Sequence, residues 1–118
     1  MMNFMDYDFK GKMVYLSGPM TGHVDFNRRL FTKGAERLKV AGAVYVYNPA
    51  DEASHGEDRH SHEWWMRRSL AELTQECGDG NGKPLYDCIA LLPGFERSEG
   101  AAAELTCAIA IGIDTVRM

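Results

Sequence analysis

The sequence lacks the features that would place a protein in a membrane or outside the cell. No apolar run approaches the ~20 residues needed to cross a bilayer. The first ten residues contain acidic side chains and lack the charged-then-apolar form of a secretory signal. The 3 cysteines, Cys77, Cys88 and Cys107, are scattered and without CxxC spacing, which favours reduced thiols over a disulfide framework. These absences predict a cytoplasmic protein without membrane contact.

A basic stripe and a metal-binding motif are missing as well. The formal net charge is −4, so the chain offers little to neutralise the phosphates of a nucleic-acid polymer. The polar segment 50–61 carries His55 and His60, but no HExxH or other ligand spacing organises them. This segment is interpreted as a mobile active-site loop, and neither a metal nor a cofactor is expected.

What is present is the composition of one ordinary globular domain. The chain has 118 residues, 45% of them hydrophobic and 25% charged, enough for one core and too few for two. The domain spans 1–118, with 1–10 a loosely held leader or an added first turn. The glycine-rich stretch 78–84 is expected to be a flexible loop, a surface insertion rather than a lid.

Apolar runs and periodic stripes alternate along the chain. Strands are predicted at 13–17, 44–47, 85–92 and 115–117. Helices are predicted at 26–40 with Asp25 as N-cap, at 62–76, and at 98–111 with Gly112 as cap. This β-α-β-α-β-α-β order predicts an α/β fold, a small Rossmann-like (flavodoxin-like) three-layer sandwich. Its four-stranded parallel sheet would have the order 2-1-3-4, with flanking helices.

The junction between the third predicted strand and the last helix is the centre of the predicted site. The strand 85–92 ends at Pro93-Gly94, and Ser98 opens the helix that carries Glu104. Ligands of open α/β sheets bind beyond the carboxyl ends of the strands, where free helix N–H groups attract anions such as phosphate. Glu104, among small alanines, can serve as nucleophile or general base. The alternative is a solvated helix carboxylate.

Two further turns follow predicted strands at the same edge. The turn Gly18-Pro19-Met20-Thr21-Gly22 is rich in small residues, which let backbone N–H groups approach a ligand. A plain strand–helix turn explains the same residues equally well. Asn48 ends the second strand and lies on the same rim if the sheet is parallel.

The last predicted helix, 98–111, is apolar almost all round. Such a helix must be covered on two sides, by its own sheet and by something else. In so small a domain a second subunit is the expected cover, so the chain is expected to form a homodimer or a larger homo-oligomer.

These residues carry a resemblance to a known superfamily. The stretches concerned are Tyr15-Leu-Ser-Gly-Pro-Met-Thr-Gly22, Phe26-Asn27, Asn48-Pro49-Ala50, Leu91-Leu92-Pro93-Gly94 and Ser98-x-Gly100-x-x-x-Glu104. In this order, over about 13–117, the chain resembles the nucleoside 2-deoxyribosyltransferase-like superfamily. Within it, the likeness is to the DUF4406 proteins common in phage and prophage genomes, which implies the host cytoplasm if the protein is phage-encoded.

The resemblance implies roles for individual residues. Glu104 would be the nucleophile at the anomeric carbon, Tyr15 would orient its carboxylate, and Asp87 would lie near the sugar or base. The leaving-group acid stays open between Asp87, Glu99 and a residue of a neighbouring subunit. Substrate or phosphate binding is expected from Ser17, Gly18, Pro19, Met20, Thr21, Gly22, Asn48, Pro93, Gly94, Ser98 and Gly100.

The expected function is cleavage or transfer at the N-glycosidic bond of a nucleoside. Ser98-x-Gly100-x-x-x-Glu104 resembles the N-glycosidases that act on nucleoside 5′-monophosphates, whereas the deoxyribosyltransferases carry Asp-Ser-Gly before the Glu. The alternative is a non-catalytic nucleotide-binding phage protein that sequesters a nucleotide-derived signal. A third possibility is an assembly protein with a vestigial pocket. The insertion at 78–84 and the aromatic stretch 62–65 have no counterpart role, which leaves the substrate open.

Overall fold

The computed structural model describes residues 1–51 and 60–118. Its strands are β1 (Met2–Asn3), β2 (Met13–Ser17), β3 (Tyr45–Tyr47), β4 (Cys88–Leu91) and β5 (Asp114–Arg117). Its α-helices are α1 (Arg28–Val40), α2 (His62–Leu73) and α3 (Glu99–Ile111). All strand pairs are parallel, in one sheet of order β1-β5-β4-β2-β3. The chain is therefore an α/β protein with a parallel sheet and flanking helices.

The prediction of four strands is wrong because the leader adds a fifth. Met2 pairs with Val116 at the edge of the sheet, so part of 1–10 is a strand. A strand of two residues is too short to show any alternation of apolar and polar side chains. Phe9 is fully buried in the core and ties the leader down. The four predicted strands keep their predicted order relative to one another.

The sheet has a core on each face, because successive side chains of a strand point to opposite sides. Val14 and Leu16 of β2 belong to the core under α1. Tyr15, between them, belongs to the second core, together with Ala101 and Ala108 of α3. The helices thus form a layer on either side of the sheet.

The beginning of α1 differs from its prediction. Asp25, Phe26 and Asn27 have φ values of 49, 54 and 61°, in the left-handed region that non-glycine residues seldom adopt. The helix therefore begins at Arg28, and Asp25 is not its N-cap; its carboxylate lies 3.2 Å from Arg28 Nε instead. The adjoining residues Phe26 and Asn27 line the cleft described below.

The ends of α2 and α3 lie closer to their predicted positions. Ser61 caps α2 by accepting a hydrogen bond from Trp64 N at 3.1 Å, but the helix ends at Leu73 rather than at 76. Ser98 caps α3, and Gly112, with φ 81°, ends it as predicted. Within the two described parts of the chain, no helix is long and apolar enough to cross a membrane.

A cleft at the carboxyl edge of the sheet

A cleft of about 1190 Å³ opens beyond the carboxyl ends of β2, β3 and β4. One wall is the loop that follows β2, another is the first half of α2, and the floor is the turn from β4 into α3. In a parallel sheet the carboxyl ends of all strands meet at one edge, so these segments converge although they are distant in sequence. The predicted edge is therefore where the structure has its large cavity.

Glu104 lies at the bottom of this cleft and is only 6% exposed. Its carboxylate oxygen Oε2 accepts a hydrogen bond from the Tyr15 hydroxyl. The other oxygen, Oε1, accepts one from Ser17 Oγ at 2.9 Å. Tyr15 and Ser17 are two residues apart on β2, so both side chains point to the face that α3 covers. A helix carboxylate is thus fixed by two hydroxyl donors of the neighbouring strand.

Burial changes how these groups ionise. Desolvation raises the pKa of Glu104 to about 7, although the hydrogen bonds from Tyr15 and Ser17 act in the opposite direction. Desolvation and the nearby Glu104 carboxylate raise the pKa of the Tyr15 hydroxyl well above its ordinary value. Tyr15 therefore stays a hydrogen-bond donor, while Glu104 exchanges its proton near neutral pH. Such a carboxylate can act as nucleophile or as general base.

Neighbouring tyrosines hold the Tyr15 ring in place. Tyr47 of β3 stacks on it, with ring centroids 5.1 Å apart. Tyr86 meets it edge to face, with ring centroids 5.6 Å apart. The carbonyl oxygen of Ser69 is a second, longer acceptor, 3.4 Å from the Tyr15 hydroxyl. Because the ring cannot turn away, its hydroxyl is positioned on Glu104 in advance.

One end of the cleft is formed by the start of α3 and is suited to binding an anion. Ser98 Oγ accepts from Ala101 N at 3.2 Å, and Ser98 O accepts from Ala102 N at 2.9 Å. These bonds leave the N–H groups of Glu99 and Gly100 without a partner among the described residues. Pro93, Gly94 and Ser98 line the cleft beside them. The positive end of the helix dipole favours a phosphate here.

The loop after β2 contributes Gly18, Pro19, Met20, Thr21 and Gly22, which were predicted to bind substrate or phosphate, to the lining. Gly18 has a structural reason as well, because a Cβ there would lie 2.8 Å from Leu92 Cβ. Gly22 has φ 83° and open space around its Cα, so it provides a left-handed turn rather than close packing. The side chain of Asn27 ties the loop back through a 2.9 Å bond to Pro19 O.

Four predicted site residues are not part of the cleft lining: Asp87, Asn48, Ser17 and Tyr15, of which Tyr15 contacts the site through its hydrogen bond to Glu104. Asp87 precedes β4, at the opposite edge of the sheet, where its Oδ2 accepts a 2.8 Å hydrogen bond from Met13 N. The structure therefore does not bring Asp87 to Glu104. Asn48 is buried, and its Oδ1 accepts from Ala50 N at 3.0 Å, which shapes the turn after β3. Ser17 is fully buried and reaches the site only through Glu104.

The wall formed by α2 was missed by the sequence prediction. His62, Trp65, Met66, Arg68 and Ser69 all line the cleft. His62, Met66 and Ser69 recur at helical spacing, so this stripe could have been recognised as a face of its own. His60 also lines the cleft and stacks on Trp64 at 3.6 Å between centroids. These residues give α2 a face of mixed polar and aromatic side chains on the cleft.

The predicted active-site loop 50–61 is only partly described. Ala50 and Asp51 belong to a short 3₁₀ turn, and residues 52–59, which include His55, lie outside the described residues. In the remainder of the chain, no group of three or more His, Cys, Asp or Glu side chains is placed to hold a metal ion. The loop 78–84 does not line the cleft; it leads into the amino end of β4.

Comparison with known proteins identifies the family. Residues 12–117 match the family described as a domain of unknown function, DUF4406, so the chain belongs to that family. No curated protein matches the chain. No solved structure matches it either.

Proposed function

We propose that this member of the DUF4406 family cleaves or transfers at the N-glycosidic bond of a nucleoside, most favourably of a nucleoside 5′-monophosphate. The observation that carries the proposal is Glu104, a buried carboxylate that Tyr15 and Ser17 hold at the bottom of an open cleft. Glu104 would attack C1′ of the sugar and expel the base. Its glycosyl ester would then pass to water or to another base.

The chemistry requires a carboxylate of this kind. N-glycosidic cleavage passes through an oxocarbenium-like state, which an adjacent carboxylate stabilises or traps as a covalent ester. Hydrogen bonds from Tyr15 and Ser17 favour the charged form that this step needs, and desolvation makes that form more reactive. The cleft is also large enough for a nucleotide.

The phosphate of a monophosphate would bind at the start of α3. There Ser98, Glu99 and Gly100 line the cleft together with Gly18 to Gly22, and the first N–H groups of the helix would bind the phosphate. Arg97 lines the same end and adds a positive charge. The distance along α3 from this end to Glu104 is about one turn, which suits a sugar between phosphate and nucleophile.

The family resemblance supports the same function. The sequence Ser98-x-Gly100-x-x-x-Glu104 is similar to that of N-glycosidases acting on nucleoside 5′-monophosphates in the nucleoside 2-deoxyribosyltransferase-like superfamily. The parallel sheet with helices on both faces agrees with the Rossmann-like, flavodoxin-like architecture that this resemblance implies.

A panel of nucleosides and their 5′-monophosphates, in ribo and deoxy forms, tests the proposal. The expected result is free base, detected by chromatography, with monophosphates processed faster than nucleosides. Thermal shifts recorded on the same panel report binding separately from turnover. Thermal stabilisation without release of any base would contradict the proposal and support the second candidate below.

The second candidate is a non-catalytic protein that sequesters a nucleotide-derived signal. One observation favours it: Asp87, which the resemblance implies near the sugar or base, lies at the opposite edge of the sheet. The pocket would then retain Glu104 for binding alone. Tight binding by a protein that never releases base is the outcome that distinguishes this candidate.

We also propose that the chain forms a homodimer or a larger assembly through the outer face of α3. This face consists of small and apolar side chains, and Ile109 on it is 64% exposed. Burying it against a second copy would remove apolar area from water at ~25 cal/mol per Å². A monomer by light scattering at micromolar concentration would contradict this proposal.

A further inference from the structure

The proposed reaction leaves one proton without a source. When the bond between C1′ and the base breaks, its electron pair goes to the base nitrogen, and the base leaves readily only if it is protonated. Glu104 cannot supply this proton while it attacks C1′. Asp87 is at the opposite edge of the sheet, where it accepts a backbone hydrogen bond. A different side chain in the cleft must therefore act as the acid.

His62 is placed for this role by the packing of α2 against α3. It is the first residue of α2, which Ser61 caps, and its side chain lines the cleft. An atom at the position of a Cβ on Gly100 would lie 3.8 Å from His62 Cε1 and 3.3 Å from Met66 Sδ. The imidazole therefore packs against the backbone of α3 at Gly100, with no side chain between them.

Gly100 in turn lies one helical turn before Glu104. Residues four apart on a helix share a face and are roughly 5–6 Å apart at Cβ. His62 and Glu104 therefore both line the cleft from two different helices, and Gly100 connects them, because the imidazole packs against it and Glu104 follows it by one turn. A sugar bound in the cleft beside these two side chains would have the carboxylate at C1′ and the imidazole near its base.

We infer that His62 is the catalytic acid that protonates the leaving base, an inference that rests on the proposed function. In the first step Glu104 forms the ester to C1′, the glycosidic bond breaks, and the imidazolium of His62 gives its proton to the departing base. In the second step neutral His62 takes a proton from water, the oxygen of that water bonds to C1′, and Glu104 leaves as carboxylate. The cycle consumes one water and restores both side chains.

The other titratable groups of the cleft fit this role less well. His60 stacks on Trp64, and His23 belongs to the loop after β2 rather than to the α2–α3 contact. Glu63 and Glu99 line the cleft and are exposed. Exposed carboxylic acids have in general lost their proton at neutral pH, whereas imidazole exchanges its proton there. Among the described residues, the charged side chains of Arg68, Arg97 and Glu104 also line the cleft.

Two substrates that differ only in their need for an acid test the inference. Guanosine 5′-monophosphate requires protonation of its base, whereas 7-methylguanosine 5′-monophosphate carries a cationic base that leaves as a neutral molecule. His62→Gln is expected to lower the rate of base release from the first by at least ~100-fold and from the second by less than fivefold. Retained activity on the methylated substrate also shows that the variant is folded.

Control variants make each outcome decisive. Glu104→Gln should abolish release from both substrates, and His23→Gln and His60→Gln should leave the ratio of the two rates as in the wild type. If His62→Gln lowers both rates equally, or neither, His62 is not the acid although Glu104 can still be the nucleophile. A wild type that releases base from neither substrate overturns this inference, and release of base from no member of the nucleoside and monophosphate panel overturns the proposed function as well.

Discussion

Two carboxylates, Glu104 and Asp87, lie at opposite edges of the same sheet and have different surroundings. Glu104 is buried beneath an open cleft, and side-chain hydroxyls hold both of its oxygens. Asp87 is exposed and accepts a hydrogen bond from the backbone of Met13 at the amino end of β2. The first arrangement keeps a reactive group in a low-dielectric site; the second joins neighbouring strands. Position at the carboxyl or amino edge thus separates the proposed catalytic carboxylate from one that joins two strands.

The largest difference is expected in turnover. Glu104→Gln keeps the shape of the side chain and removes the charge that the oxocarbenium-like transition state requires. Base release should fall by about 10³-fold or more, with substrate affinity changed much less. Initial rates and thermal shifts on the same substrate measure the two quantities. Equal rates for variant and wild type would remove Glu104 from the mechanism.

The second prediction concerns how the stability of wild type and of Glu104→Gln depends on pH. Burial raises the pKa of Glu104 from the ordinary 4.5 to about 7, so between these values the folded protein binds more protons than the unfolded chain. The contribution of Glu104 to stability is then fully present below about pH 4.5 and is lost as the pH rises through about 7. Glu104→Gln has no ionisable group at this position, so its stability does not fall with this ionisation. As the pH rises over that range, its free energy of unfolding should therefore increase relative to that of wild type by up to ~3 kcal/mol.

Urea denaturation of both proteins at pH 5 and pH 8 checks this expectation. A stability difference that stays constant between the two pH values would mean that Glu104 ionises as an ordinary exposed carboxyl group. Asp87→Asn provides the matched control at the other edge of the sheet.

A smaller effect is expected from the donor to Glu104. Tyr15→Phe removes a hydrogen bond that lowers the pKa of Glu104, so burial should raise this pKa further. At pH 7 turnover should fall by about 10- to 100-fold, which corresponds to the ~1.5–3 kcal/mol of a hydrogen bond to a charged group. The rise of turnover with pH should move to higher pH. A lower rate with an unmoved pH profile would show that Tyr15 acts on something other than the ionisation of Glu104.

The anion end of the cleft should give a moderate, substrate-dependent effect. Ser98→Ala is expected to weaken binding of a nucleoside 5′-monophosphate by about 1–2 kcal/mol, the cost of one charge-assisted hydrogen bond. The parent nucleoside should lose much less. Because Ser98 also caps α3, thermal stability is measured alongside, and loss of the cap should cost about 1 kcal/mol. Equal losses for both ligands would place the phosphate elsewhere.

The smallest effect on turnover is expected at the other edge. Asp87→Ala removes the acceptor of the Met13 N–H and should destabilise the fold by about 0.5–1.5 kcal/mol. Base release at a temperature well below unfolding should stay within about twofold of wild type. A loss of base release comparable to that of Glu104→Gln would show that Asp87 is more than a structural carboxylate.

Sequence patterns identified the elements that apolar periodicity controls. The β2 strand is found at its predicted residues, and α3 ends at its predicted Gly112 cap, because a run or stripe of apolar residues and a cap are local signals. The two-residue strand β1 and the left-handed turn at Asp25 to Asn27 have no such signal. Tertiary contacts rather than local preference fix them.

The candidate site likewise has residues that a local sequence signal indicates and residues that only the tertiary structure brings in. Glu104, Ser98 and the Gly18 turn were located because they follow strands or open a helix, which a sequence displays directly. The misplaced Asp87 shows that a residue at the start of a strand belongs to the edge opposite the cleft. The stripe of α2 that includes His62 and Met66 has a helical spacing that the sequence displays, but its position in the cleft depends on how two helices pack.

The most direct test of Glu104 as nucleophile is the mass of the protein during turnover. Wild type would be acid-quenched while it processes the best nucleoside 5′-monophosphate, digested, and analysed by peptide mass spectrometry. The account predicts that the peptide containing Glu104 carries the added mass of the sugar phosphate, and that the adduct is absent from Glu104→Gln. An adduct on any other residue, or base release by Glu104→Gln at the wild-type rate, would contradict it.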